Sequence, residues 1–130
     1  MRDHEIYNYD YSFENVLTMT LNDYQKAAAE TAFYAFPIIY TSLGFASECG
    51  ELLGKVKKAI RDDDVRFDGT KELPSNLRAD LAAELGDCFW YVAMIAKDLN
   101  ISLNDIATMN LEKLQDRQKR GKLKGSGDNR

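Results

Sequence analysis

Leu77, Leu81, Leu85, Phe89, Val92, Ala96 and Leu99 recur at threes and fours, an apolar stripe that only an α-helix can keep on one face. A second stripe, Ile39, Leu43, Ala46, Gly50, Leu53, Val56 and Ile60, has the same period. Two long amphipathic helices, expected over Ile38 to Arg61 and Leu77 to Leu99, therefore dominate whatever this chain folds into. Each stripe predicts a face turned to a core.

Shorter helices flank this pair. Thr20 followed by Asp23 has the spacing of a capping pair, and Tyr24, Ala27, Ala28 and Thr31 continue at helical intervals until Pro37 ends or kinks the run. Asn100 can take the left-handed conformation that closes the third helix, and Ser102 with Asp105 opens a fourth that runs to about Lys119. Between the long helices, Asp62 to Asn76 is a charged loop holding Gly69 and Pro74. At about fifteen residues it is long for a compact domain. Tyr7, Tyr9, Tyr11 and Phe13 alternate ahead of the first helix, as a short strand or as an arm laid on a partner subunit, with the arm preferred. The expected organisation is an aromatic arm over 1–19, a helical domain over 20–120 and a glycine-rich tail over 121–130. The fold class is all-α, a four-helix bundle.

A chain of 130 residues has a thin core, and joining a second copy is one way to thicken it. The net charge of −4 and the lack of basic excess argue against binding a nucleic-acid polymer. No stretch approaches the ~20 apolar residues of a membrane span, and the N-terminus has no apolar signal core. Cys49 and Cys88 lack Cys-x-x-Cys spacing and are expected to be buried free thiols, which suits a reducing cytoplasm.

The chemistry lies in carboxylates. Glu48 and Glu51 are separated by three positions and share a helix face, with Lys55, Lys58 and Asp62 continuing the line. Glu84 and Asp87 repeat the spacing, between Asp80 and Tyr91, and lead into the apolar run CFWYVAMIA. A lone Glu-x-x-Glu usually marks a solvated face; a second acidic pair entering so apolar a run does not. Like charges facing one groove repel unless a cation lies between them. All-oxygen donors suit Mg²⁺, with Mn²⁺ as a substitute. The only histidine, His4, lies outside every predicted helix, which disfavours the di-iron bundles built on Glu-x-x-His. Asn110, Lys113, Arg117 and Arg120 form a cationic line on the last helix, readable as macrodipole compensation or as phosphate contacts. Gly44, Gly50, Gly54 and Gly86 beside the acids suggest close helix approach or room for a ligand.

These segments, LGFASECGELLGKVKKAIRDD and then LAAELGDCFWYVAMIAKDLNISLNDIATMNLEKLQDRQKRGKLKGSGDNR, resemble the short single-domain MazG-like nucleotide pyrophosphohydrolases of phages and bacteria. The resemblance covers about Tyr24 to Arg130 and rests on Glu-x-x-Glu with Glu-x-x-Asp, the Asn-x-x-Lys-x-x-x-Arg line and the GSGD tail together. It implies an all-α bundle completed by dimers, or dimers of dimers; the expected location stays the cytoplasm, the host's if the chain is phage-encoded. It implies Mg²⁺ held by Glu48, Glu51, Glu84 and Asp87, and hydrolysis of an NTP or dNTP to monophosphate and pyrophosphate by water attack at the α-phosphorus. Lys58, Asn110, Lys113 and Arg117 match positions near the phosphates and Tyr91 a position near sugar or base; Lys55 joins the substrate-binding set. Tyr34, Phe36, Tyr40 and Phe45 are candidates for a base-stacking aromatic. The competing expectations are a phosphoribosyl-ATP pyrophosphohydrolase and a catalytically silent helical dimer that binds nucleotide or protein.

Overall fold

The computed structural model describes residues 18–127. The expected aromatic arm, apart from residues 18 and 19, lies outside the described residues, as do 128–130 of the tail. Four helices follow one another: α1 (Leu21–Ala29), α2 (Ile39–Asp63), α3 (Ser75–Asp98) and α4 (Leu103–Lys119). No strand occurs among the described residues. The fold is all-α, as the two apolar periods require.

Helix starts and stops follow local chemistry. Thr20 and Asp23 form a reciprocal cap: the Asp23 amide donates to Thr20 Oγ1 at 3.1 Å and the Thr20 amide donates to the Asp23 carboxylate at 2.9 Å. Ser102 Oγ accepts from the Asp105 amide at 3.0 Å and opens α4. Asn100 adopts φ 56°, and the Ile101 and Asn100 amides donate back to the Ala96 and Lys97 carbonyls, both at 2.9 Å, which closes α3. The α3–α4 corner is held from outside by α1. Gln25 Oε1 accepts from the Leu103 amide at 2.9 Å, Gln25 Nε2 donates to the Ile101 carbonyl at 3.1 Å, and Asn22 Oδ1 accepts from the Asn104 amide at 3.0 Å. Two otherwise orphan donors of the first turn of α4 are thereby satisfied.

The first helix does not reach Pro37; it ends at Ala29. The segment beyond it makes long-range bonds in place of helical ones. Trp90 Nε1 donates to Thr31 Oγ1 at 2.8 Å, and Tyr34 OH donates to Asp98 at 2.7 Å. The Ile38 amide and Thr41 Oγ1 also donate to Asp98, each at 2.9 Å. Phe36 and Ile38 take positive φ values of 61° and 69°, an uncommon conformation for a phenylalanine and a rarer one for a β-branched residue. Asp98 thus serves as the missing cap of α2, which has no side-chain cap of its own.

The two long helices pack antiparallel in one continuous register. Thr41 meets Asp98, Gly44 lies under the Tyr91 ring, Cys49 meets Cys88, and Lys55 meets Glu84. A β-carbon at Gly44 would collide with that ring, so glycine is required there. Gly50, Gly54 and Gly86 meet nothing and carry no close approach within the chain.

The core is small: Ala28, Ala93, Met94, Ala96 and Leu103, where α1, α3 and α4 converge. The direction of the two apolar stripes differs from expectation. Leu43, Leu53 and Leu85 are 68%, 65% and 60% exposed, while the line through Glu84 and Cys88 is buried. Among the described residues α2 packs on α3 alone, and the pair meets along its acid-bearing seam; this leaves the α2 stripe and the Leu85–Phe89 part of the α3 stripe outward, while Val92 and Ala96 join the core.

Asp98 is the cheapest place to test this arrangement. Burial alone would raise its pKa, but the Ile38 amide and the hydroxyls of Tyr34 and Thr41 outweigh it and hold the carboxyl below the usual range. Asp98→Ala is expected to cost about 2–3 kcal/mol at neutral pH, since it strands those donors. A depressed folded pKa stabilises above the unfolded value of about 3.9 and is lost as pH falls through the folded value. The difference in Tm between wild type and variant, followed by calorimetry, should therefore narrow below about pH 4; a pH-independent difference would contradict an ionised Asp98 clamp.

Candidate functional site

The antiparallel register brings acids from both helices to one place. Carboxylate oxygens of Glu48, Glu84 and Asp87 all lie within 4.8 Å of one another. Glu84 is buried, Glu48 half-buried and Asp87 exposed, so the cluster opens from the helix seam to solvent. Three carboxylates at such spacing repel one another. Burial first, then the charges of Glu51, Asp87 and Glu84, push the Glu48 pKa up. Glu51, the fourth carboxylate expected here, lies exposed outside the three-residue cluster, though its charge reaches both Glu48 and Lys55.

Lys55 supplies the positive charge. Its Nζ lies 3.0 Å from Glu84 Oε1, with the lysine side chain 36% and the glutamate side chain 11% exposed. That hydrogen bond is the main reason the Lys55 pKa is raised, with Glu84, Asp80 and Glu51 adding to it through space against the opposing effect of burial. Lys55 thus balances the charge of the most buried acid of the cluster. Clustered carboxylate oxygens with no nitrogen or sulfur among them fit a hard divalent ion.

Above the acids stands an aromatic group. Tyr91, one turn beyond Asp87 on α3, is half-buried and lies beside Tyr40, with ring centroids 6.5 Å apart. Burial first, then the neighbouring Tyr40 hydroxyl and the charges of Glu48 and Asp87, raise its pKa above the usual tyrosine range. Tyr34 stacks on Tyr40 with ring centroids 5.2 Å apart, and Trp90 meets Tyr91 edge-on at 4.9 Å. Desolvation and the Asp98 bond push Tyr34 up to about 12, leaving it a donor committed to the fold. Phe45 lines a different, apolar groove. Of the aromatic candidates, Tyr40 is the one in contact with Tyr91.

The cationic residues are spread more widely. Lys58 is exposed on α2 beyond Lys55. Asn110 and Lys113 are exposed on α4, a helix that among the described residues packs on α1 and α3 and not on α2. Arg117 is buried and donates to the Gly127 carbonyl at 3.4 Å, so it faces the tail.

Removing the charge of Glu48, which burial and its acidic neighbours disfavour, is expected to stabilise the metal-free chain. Its raised pKa means that ionised Glu48 destabilises the fold above that pKa and ceases to do so once protonated. Glu48→Gln is therefore expected to raise Tm at pH 7 in chelator, with the gain shrinking as pH falls towards about 4. A lower Tm at pH 7 would show that the Glu48 carboxylate is stabilising.

The sequence of residues 40–121 matches the family model described as the MazG nucleotide pyrophosphohydrolase domain. The chain is 41% identical over 120 residues to the Gene 37 protein of Mycobacterium phage L5, an alignment that covers 86% of this chain and 100% of the relative. No solved structure matches it. The matched span runs from Tyr40 through the carboxylate cluster to the end of α4, and the chain belongs to the MazG nucleotide pyrophosphohydrolase family.

Proposed function

We propose that the chain hydrolyses a nucleoside triphosphate, ribo or deoxyribo, to the monophosphate and pyrophosphate with Mg²⁺, or Mn²⁺ in its place. The observation that carries this reading is the meeting of Glu48, Glu84 and Asp87 within 4.8 Å beside Lys55, in a member of a nucleotide pyrophosphohydrolase family. Glu48, Glu84 and Asp87 would hold the ion, with Glu51 as a further ligand or as the base that takes a proton from water. A divalent ion there neutralises the triphosphate and acidifies a water.

The side chains divide the remaining work. Exposed Glu51 has the freedom to receive the proton of a water directed at the α-phosphorus. Lys55, 3.0 Å from Glu84, and exposed Lys58 form a positive edge beside the carboxylates that would face phosphate oxygens. Tyr91 donates its retained proton near the sugar, and Tyr40 offers a ring face to the base. The α2 stripe and the Leu85–Phe89 part of the α3 stripe are covered by a second copy, in a dimer or tetramer whose pooled helices bring Asn110 and Lys113 of α4 to the phosphates, with Arg117 holding the tail through the Gly127 carbonyl.

Pyrophosphate release, measured for each common NTP and dNTP and for phosphoribosyl-ATP with Mg²⁺ titrated, is expected to show turnover of at least one triphosphate. Release from phosphoribosyl-ATP alone, or from nothing, would reject the proposal. Asp87→Asn and Glu51→Gln should each lower turnover at least about 100-fold with little change in Tm; near-normal turnover at saturating Mg²⁺ would remove that residue from the site. Sedimentation velocity should show a dimer or tetramer, and Leu53→Glu combined with Leu85→Glu a monomer. A wild-type monomer would refute the assembly.

A further inference from the structure

Directly behind the acids, Cys49 and Cys88 face one another across the α2–α3 seam with sulfurs 3.9 Å apart. Both are free thiols, Cys49 half-buried and Cys88 buried. Each follows an acid of the cluster in sequence, Cys49 after Glu48 and Cys88 after Asp87. They also line an apolar groove of about 650 Å³ with Phe45, Leu52, Leu85 and Phe89. A disulfide needs its sulfurs at about 2.05 Å, so the pair must close by nearly 2 Å through side-chain rotation and helix approach.

We infer that Cys49 and Cys88 are a peroxide-oxidisable pair whose disulfide ties α2 to α3 and loosens metal binding at the adjoining carboxylates. Cys49, the more accessible sulfur, attacks one oxygen of hydrogen peroxide. The O–O bond breaks, water leaves with the thiol proton, and Cys49 becomes a sulfenic acid. Cys88 then attacks the Cys49 sulfur, the S–S bond forms, the S–O bond breaks, and a second water leaves with the Cys88 proton. Two thiols give up two electrons and one peroxide is reduced to two waters. Magnesium and manganese sites demand near-ideal octahedral geometry. A helix shift imposed by a bond one residue from Glu48 and one from Asp87 degrades that geometry, and reduction of the bond restores it.

The thiol chemistry stands independently of the proposed hydrolysis; the effect on metal rests on the carboxylate site. The test uses the whole protein, a few equivalents of hydrogen peroxide and Mn²⁺ as the probe. Mass spectrometry should show a loss of two hydrogens per chain and a peptide pair linking Cys49 to Cys88, reversed by dithiothreitol. In Cys88→Ser, a dimedone-type trap should label Cys49; in Cys49→Ser, Cys88 should stay a thiol. Mn²⁺ binding, read by electron paramagnetic resonance, should weaken at least about threefold on oxidation and recover on reduction. Unreacted thiols, an interchain link or oxidation at Cys88 alone would overturn the pair. A disulfide that leaves Mn²⁺ affinity unchanged would overturn the coupling. If the reduced chain binds no Mn²⁺, the metal-site reading fails, and the inferred coupling with it, while the disulfide result still decides the thiol pair.

Discussion

The mutual repulsion of Glu48, Glu84 and Asp87 is the constraint around which the rest of the molecule is arranged. Like charges within 4.8 Å, one of them buried, oppose the packing of the helices that carry them. The chain meets this with Lys55 on Glu84 and with a Glu48 whose proton is held more tightly than usual. Lys55 offsets one of the three carboxylates, so the cluster stays acidic. The apolar contacts of α1, α3 and α4 lie at the other end of α3, where they secure the scaffold without covering the acids.

What forces the acids together is a clamp at a distance. Asp98 anchors Tyr34, the Ile38 amide and Thr41, and thereby fixes where α2 begins on α3. From that point the register is set: one turn on, Gly44 admits the Tyr91 ring, and farther along, Glu48 and Lys55 arrive beside Asp87 and Glu84. The positive φ values of Phe36 and Ile38 are the local cost of feeding the chain into this clamp. A slip of α2 by one residue would rotate its face by about 100° and separate the acids. The clamp is thus a structural device with a chemical consequence.

Much of this was legible in the sequence because it is local. Caps at Thr20 and Ser102, the left-handed Asn100 and the long helices are encoded within a few residues of where they act. The acidic spacing was legible for the same reason: positions three apart share a face whatever the fold. The end of α1 was not, because Thr31 and Tyr34 are held by Trp90 and Asp98, far along the chain. Asp98 gives no local sign of its role, because its partners Tyr34, Ile38 and Thr41 lie far back along the chain. Cys49 and Cys88 carried no spacing signal, since their proximity exists only once the register of two helices is fixed.

The apolar stripes illustrate a deeper limit. Periodicity shows that one face of a helix avoids water; it does not show which chain covers that face. Within one chain the seam between α2 and α3 is the acid-bearing one, and Leu43, Leu53 and Leu85 remain outside. Burying a leucine is worth roughly 1.5–3 kcal/mol, so a row of exposed ones is a strong drive to association. The same association bears on the site, because α4 with Asn110 and Lys113 does not pack on α2 within the chain. A thin monomer core and a cationic helix set apart from the acids it would serve are then one fact seen twice. The outward leucines lie on the same two helices as the carboxylates, so whatever covers the first borders the second.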